Sequence, residues 1–250
     1  MQQRNSKLGP LRTQTELLIG SLLAALLLIP TGAGWLPLTL IEALGFVTGA
    51  ACVYLVLRES VWNFPLGIAN NLVFLVLFYQ SRLYGDSGLQ AVYVLLAVHG
   101  WWSWLRGGQN HKPLHIRQVG RWEATAVAAA TAVNIPLLMV ALKAVGAAAP
   151  VLDSATTVLS LAAQYLLNRK FVENWYVWIV ADILYIYLYT KRELYLTATL
   201  YAVFLLMCLY GLRRWRQLMT DNQKDRRWNE SGTEFEGAPL PTCSAPRSER

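Results

Sequence analysis

Two segments decide how this chain is built: Tyr54-Leu55-Val56-Leu57-Arg58-Glu59-Ser60-Val61-Trp62-Asn63 and, 111 residues later, Tyr165-Leu166-Leu167-Asn168-Arg169-Lys170-Phe171-Val172-Glu173-Asn174. They agree at Tyr54/Tyr165, Leu55/Leu166, Arg58/Arg169, Val61/Val172 and Asn63/Asn174. Extending the same offset aligns Ile41–Trp104 with Leu152–Trp215 without a gap, and 17 of those 64 positions are identical. Shared hydrophobicity accounts for part of this. It does not align Arg, Asn, Tyr84/Tyr195, Gly100/Gly211 and Trp104/Trp215, so the offset marks an internal duplication.

Composition names the solvent of these repeats. The chain has 250 residues, 55% hydrophobic and 15% charged, whereas a soluble domain carries about 25% charged residues to coat its surface. That excludes most soluble enzymes and points to a lipid bilayer as the partner. The formal charge is +7, but the bases sit between apolar blocks rather than in one stripe, which argues against nucleic acid. Cys52 and Cys208 lie in apolar runs and Cys243 near the C-terminus, none with metal-ligand or CxxC spacing. Neither a metal nor a cofactor is called for.

A hydrocarbon core of ~30 Å needs about 20 apolar residues of helix, the form that satisfies its own backbone in lipid. Eight stretches fit: Thr15–Ile29, Leu36–Leu57, Trp62–Tyr79, Ser87–Leu105, Trp122–Val145, Val151–Leu167, Trp175–Tyr189 and Leu194–Leu212. The first also resembles a secretory signal peptide, with Arg4, Lys7 and Arg12 ahead of a short apolar run and Thr31-Gly32-Ala33-Gly34 behind it. With eight spans, 18 of the 22 Lys and Arg residues fall on one side. Cytoplasmic loops retain such residues, so both termini are expected in the cytoplasm and the first span is expected to be kept. Residues 217–250, rich in Ser, Pro, Glu and Arg, read as a disordered cytoplasmic tail.

Each repeat contains three spans, an odd number, so the second copy keeps the orientation of the first only if one further helix separates them. The Ala-rich Trp122–Val145 is that helix. The expected fold is an all-α integral membrane protein, a parallel duplication of three-helix bundles joined by a linker helix (3+1+3) with an extra span in front. Its segments are 1–35 (N-terminus and first span), 36–106 (repeat 1), 107–146 (cytoplasmic loop and linker helix), 147–216 (repeat 2) and 217–250 (tail). Parallel repeats are a transporter architecture with the ligand site between the halves. Duplicated bundles also serve as scaffolds.

Polar side chains inside spans are costly and mark pathways. Asn70 and Asn71 lie mid-span in the third stretch and Asp182 mid-span in the seventh, and the offset pairs Asn71 with Asp182. Packing between helices also uses such residues. Trp178 and Tyr185 flank Asp182 at i−4 and i+3, on one helical face. An aromatic face carrying a carboxylate suits a flat, cationic, ring-bearing ligand. Trp62, Trp175 and Tyr189, near span ends, have an interfacial explanation as well. In the sixth stretch Thr156, Ser160, Gln164 and Asn168 recur every four residues; this stripe suits either hydrogen bonding to a ribose or amide, or close helix packing. Gln90, Tyr93 and Gly100 share a face in the fourth stretch, with His99 beside the inner interface. No GxxxxGK[ST] loop, HExxH or Ser/His/Asp constellation is present, so the chain is not read as an enzyme or as an ATP-driven pump. Few buried charges favour uncoupled facilitated diffusion.

The run Trp62-Asn63-Phe64-Pro65-Leu66-Gly67 with Asn70-Asn71, Phe78-Tyr79, Leu83-Tyr84-Gly85-Asp86, Leu89-Gln90, Tyr93 and Gly100-Trp101…Trp104 resembles the first signature of the PnuC family of bacterial vitamin transporters. The second signature is similar to Asp153…Gln164-Tyr165-Leu166-Leu167-Asn168-Arg169-Lys170, Glu173-Asn174-Trp175…Trp178 and Asp182 to Tyr189. The resemblance covers about Leu40 to Trp215, with His99 standing where the pattern has Tyr. It implies facilitated diffusion of nicotinamide riboside across the bacterial inner membrane, phosphorylation by a separate kinase to trap it, and a fold similar to the SWEET sugar transporters. Relatives on the same scaffold carry thiamine, riboflavin or deoxynucleosides. By matching position it implies Trp62, Asn70, Asn71, Gln90, Gln164, Asn168, Trp178, Asp182 and Tyr185 as ligand contacts. A homo-oligomer is left open.

Overall fold

The computed structural model describes residues 10–36, 39–80, 84–108, 111–146 and 149–236. Among these the regular structure is helical: α1 Pro10–Gly32, α2 Leu40–Leu57, α3 Asn63–Gln80, α4 Tyr84–Arg106, α5 Arg121–Ala144, α6 Pro150–Asn168, α7 Asn174–Lys191 and α8 Tyr195–Glu236. The one pairing of extended backbone is a parallel bridge between Arg117 and Phe171. Even the 18-residue helices α2, α3 and α7 span about 27 Å at ~1.5 Å per residue, close to the ~30 Å of a hydrocarbon core. By length and apolar composition alone, two helices among the described residues qualify to cross a membrane, Arg121–Ala144 and Tyr195–Asp221. The other helices interleave Asn, Gln, Ser, Tyr and Trp with their apolar residues, as helices do when one face lines a polar interior.

The duplication is visible in the helix boundaries. α2 and α6 end at Leu57 and Asn168, and α3 and α7 start at Asn63 and Asn174, each pair 111 residues apart. α1 packs on α2 as α5 packs on α6. Within each repeat the first helix packs on the second and the second on the third. Between repeats, α4 packs on α6 and α8 on α2, the contacts a two-fold exchange of the repeats would produce.

One end of the bundle carries Arg58, Arg106, Arg169 and Lys170 and holds the densest core. There Phe64 meets Trp104 edge-on at 5.1 Å and Trp175 meets Trp215 edge-on at 5.4 Å, two pairs related by the offset. Trp104 and Trp215 sit 6.1 Å from each other between the repeats. Trp104 Nε1 donates to the Leu167 carbonyl at 3.0 Å and Trp215 Nε1 to the Val56 carbonyl at 3.2 Å, so each repeat's indole bonds the other repeat's first helix. The loop between α4 and α5 folds over this basic end, burying Leu114 and Ile116.

The boundary expected at residue 217 moves. α8 continues as helix to Glu236, and residues 237–250 lie outside the described residues. Low apolar content suggested disorder for the whole stretch, but extending an existing helix needs no new nucleus, and Gln, Lys, Arg and Glu are good helix formers.

Candidate functional site

A cavity of about 330 Å³ lies between the repeats, lined by residues from α2, α3, α4, α6, α7 and α8. Most of its lining comes in pairs set by the offset: Asn63/Asn174, Phe64/Trp175, Gly67/Trp178, Asn71/Asp182, Val53/Gln164 and Tyr93/Phe204 contribute both members. Duplication therefore builds the wall, and divergence furnishes it. Where repeat 1 places Gly49, Val53 and Gly67, repeat 2 places Ser160, Gln164 and Trp178. At these three positions the first repeat supplies room and the second the hydrogen-bonding and aromatic groups.

Asp182 is 4% exposed, and its carboxylate accepts a bond from the Cys208 thiol at 3.4 Å. A thiol is a weak donor, so the carboxylate keeps capacity for a stronger partner. Trp178 and Tyr185 line the cavity with it, as their spacing on α7 requires. Towards the end away from Arg58 and Arg169, Tyr185 and Tyr201 stack at 4.6 Å, Tyr189 and Tyr201 at 5.3 Å, and Phe46 stacks on Phe204 at 6.2 Å. This aromatic layer draws on both repeats.

The structure brings five of the expected contacts to the cavity wall: Asn71, Gln164, Trp178, Asp182 and Tyr185. It does not bring the other four there. Asn70 is about 100° around α3 from Asn71, and its Oδ1 accepts from the Thr48 hydroxyl at 3.0 Å. Asn168 sits behind the wall, donating to the Leu96 carbonyl at 2.8 Å while its Oδ1 accepts from Gln164 at 3.1 Å. It therefore aims the Gln164 amide. Trp62 precedes α3 and is 70% exposed. Gln90 is half-buried on α4 and is not part of the lining.

Sequence reasoning passed over several lining residues. Spacing gives Cys208 no partner cysteine, yet it is the hydrogen-bond donor to Asp182. Phe204 and Tyr201 read as ordinary apolar content of a span. The available signal was the offset, which pairs Phe204 with Tyr93 and Gly67 with Trp178. Among the described residues no cluster of His, Cys, Asp or Glu is arranged to hold a metal.

A family model described as nicotinamide mononucleotide transporter matches residues 39–217. The chain is 30% identical over 213 residues to the nicotinamide riboside transporter PnuC of Escherichia coli (strain K12), covering 75% of this chain and 89% of that protein. The chain belongs to the PnuC family of transporters. It is thus a transporter and not an enzyme. A further relative is the riboflavin/roseoflavin transporter RibM of Streptomyces davaonensis, 28% identical over 178 residues with 70% of this chain and 83% of RibM covered. A crystal structure of the vitamin B3 transporter PnuC superimposes with a TM-score of 0.62 at 25% identity, covering 82% of this chain and 90% of that one. The region matched by the family model includes every residue that lines the cavity.

Proposed function

We propose that this protein carries nicotinamide riboside across the bacterial inner membrane by facilitated diffusion with alternating access, and that a separate intracellular kinase traps the vitamin by phosphorylation. The observation that carries this reading is the placement of Asp182, Trp178 and Tyr185 on one face of a cavity that lies between two related repeats. Nicotinamide riboside is a flat cationic ring on a ribose. Aromatic faces stack on such a ring and attract its charge, the carboxylate of Asp182 answers the cation, and the Gln164 amide, aimed by Asn168, is suited to the ribose hydroxyls. The names of the PnuC relatives support the same cargo.

The architecture we propose with it is the parallel 3+1+3 arrangement of the SWEET-like fold with α1 in front, repeats over 36–106 and 147–216, and both termini in the cytoplasm. The basic end, with Arg58 and Arg169, then faces the cytoplasm, as the distribution of Lys and Arg favours. Rocking of one repeat against the other would expose the cavity to each side in turn.

Counterflow in liposomes tests the function. Protein loaded with unlabelled nicotinamide riboside should accumulate labelled nicotinamide riboside from outside without a gradient of any ion, and excess riboflavin or thiamine should not compete. A protein that binds the vitamin but exchanges none would be a receptor. The relationship to RibM supports riboflavin as a second reading, and competition by riboflavin at lower concentration than nicotinamide riboside would move the assignment there.

A further inference from the structure

Glu59 and Lys170 occupy the same place in the two repeats, 111 residues apart. Both have φ 53°, the left-handed conformation in which glycine is the usual residue after a helix. Each follows a helix that ends two residues earlier, and each donates its amide N–H to the carbonyl three residues back, Val56 and Leu167 respectively. Those are the two carbonyls that also accept from Trp215 and Trp104. Despite the backbone cost neither position holds glycine, and their opposite charges meet: Lys170 Nζ lies 3.0 Å from Glu59 Oε2. Duplication gave the two repeats one cap, and divergence gave it complementary ends.

Lys170 is the more deeply placed partner, its side chain 8% exposed against 29% for Glu59. Its ammonium also donates to the Leu114 carbonyl at 3.0 Å and lies 4.4 Å from the Trp104 ring centre. It thereby ties repeat 2 to repeat 1 and to the loop between α4 and α5. That loop is further fastened by Val119 N–H donating to Glu173 Oε2 at 3.0 Å, by Arg117 stacked 4.7 Å over Phe171, and by the Arg117–Phe171 bridge. At the other end, the Arg192–Asp153 pair at 3.6 Å joins α6 to the residue that follows α7, both in repeat 2, and crosses no repeat boundary.

Closing the basic end also has a cost. Arg214 Nε is buried there without a hydrogen-bond partner, and such an atom regains water when the end opens. A closed end that carries this cost needs a fastener.

Resting on the alternating-access reading above, we infer that Glu59 and Lys170 form the inter-repeat lock of the cytoplasmic gate. Their ion pair holds that end shut while the cavity faces outward, and it must separate for the substrate to leave inward. They are positioning residues that bias the equilibrium between the two facings and do not touch the substrate.

The native cavity thiols Cys52 and Cys208 report on that gate. In a Cys243→Ser background, a small impermeant cationic thiol reagent is applied to inside-out and to right-side-out membrane vesicles. Neutralising both partners together, Glu59→Gln with Lys170→Met, avoids leaving a buried charge unpaired. It should raise the labelling rate from the cytoplasmic face at least fivefold and leave labelling from the outer face unchanged or slower. Equal rates from the cytoplasmic face in parent and variant would overturn the lock, and so would an increase from both faces, which reports general loosening. If the double variant is not recovered folded, Glu59→Gln alone is read by the same criteria. Counterflow by the parent is run alongside: no exchange there removes the transport reading, whereas exchange with unaltered labelling removes only the lock.

Discussion

Asp182 concentrates the chemistry of the cavity in one side chain. A carboxylate withdrawn from water and answered by a single thiol is poorly compensated until a cation arrives, so its interaction with a charged ligand should depend on that charge. Asp182→Asn keeps size and shape and removes the charge. We expect it to weaken binding of nicotinamide riboside at least tenfold, ~1.4 kcal/mol, and to weaken binding of an uncharged analogue with the reduced ring far less. Calorimetry on the purified protein with both ligands checks this; equal losses would show that Asp182 acts through hydrogen bonding or packing alone.

Helix α4 shows how one absent side chain organises an element. A Cβ on Gly100 would lie 2.3 Å from Asn168 Oδ1 and 2.5 Å from the Phe64 ring, and its repeat counterpart Gly211 would meet the Trp175 ring at 2.6 Å. The small residue lets α4 approach α6 and α3 closely enough for Asn168 to reach the Leu96 carbonyl and hold Gln164. Gly100→Ala should therefore cost about 1–3 kcal/mol of stability, the usual range for overpacking. It should also lower ligand affinity, because the displaced Asn168 no longer aims Gln164. Thermal unfolding in detergent and ligand titration measure the two effects, and an affinity equal to the parent's would separate Asn168 from the cavity. α8 carries a different lesson. Its helix runs past the apolar portion to Glu236 because propagation is cheap where nucleation has already occurred.

For the molecule as a whole, the pseudo-two-fold relation between repeats makes a quantitative demand. Trp104 and Trp215 donate to offset-related carbonyls of the opposite repeat and pack edge-on against offset-related rings. Trp104→Phe and Trp215→Phe each remove one such bond while preserving an aromatic ring, and each should destabilise by about 1–3 kcal/mol. Thermal unfolding should show shifts of similar size for the two, and a loss confined to one would mean that the halves do not share the closure equally. α1 also packs on α2 as α5 packs on α6, a correspondence faint in the sequence, where Leu26/Leu137 and Leu27/Leu138 are the only identities at the same offset within Pro10–Gly32. The apolar composition, the gapless offset and the family signatures determined, from the sequence alone, that this is a duplicated helical transporter; periodicity on α7 also grouped Trp178, Asp182 and Tyr185, since helical spacing fixes which residues share a face. Only the tertiary structure decided that Asn71 and not Asn70 faces the cavity, that Asn168 acts from behind the wall, that Cys208 answers Asp182, and that Glu59 meets Lys170. Those facts depend on how far apart helices sit and how they are rotated about their axes. Rotation and distance are set by packing between segments far apart in the chain, as at Gly100 and the paired tryptophans, and no local pattern of residues encodes them.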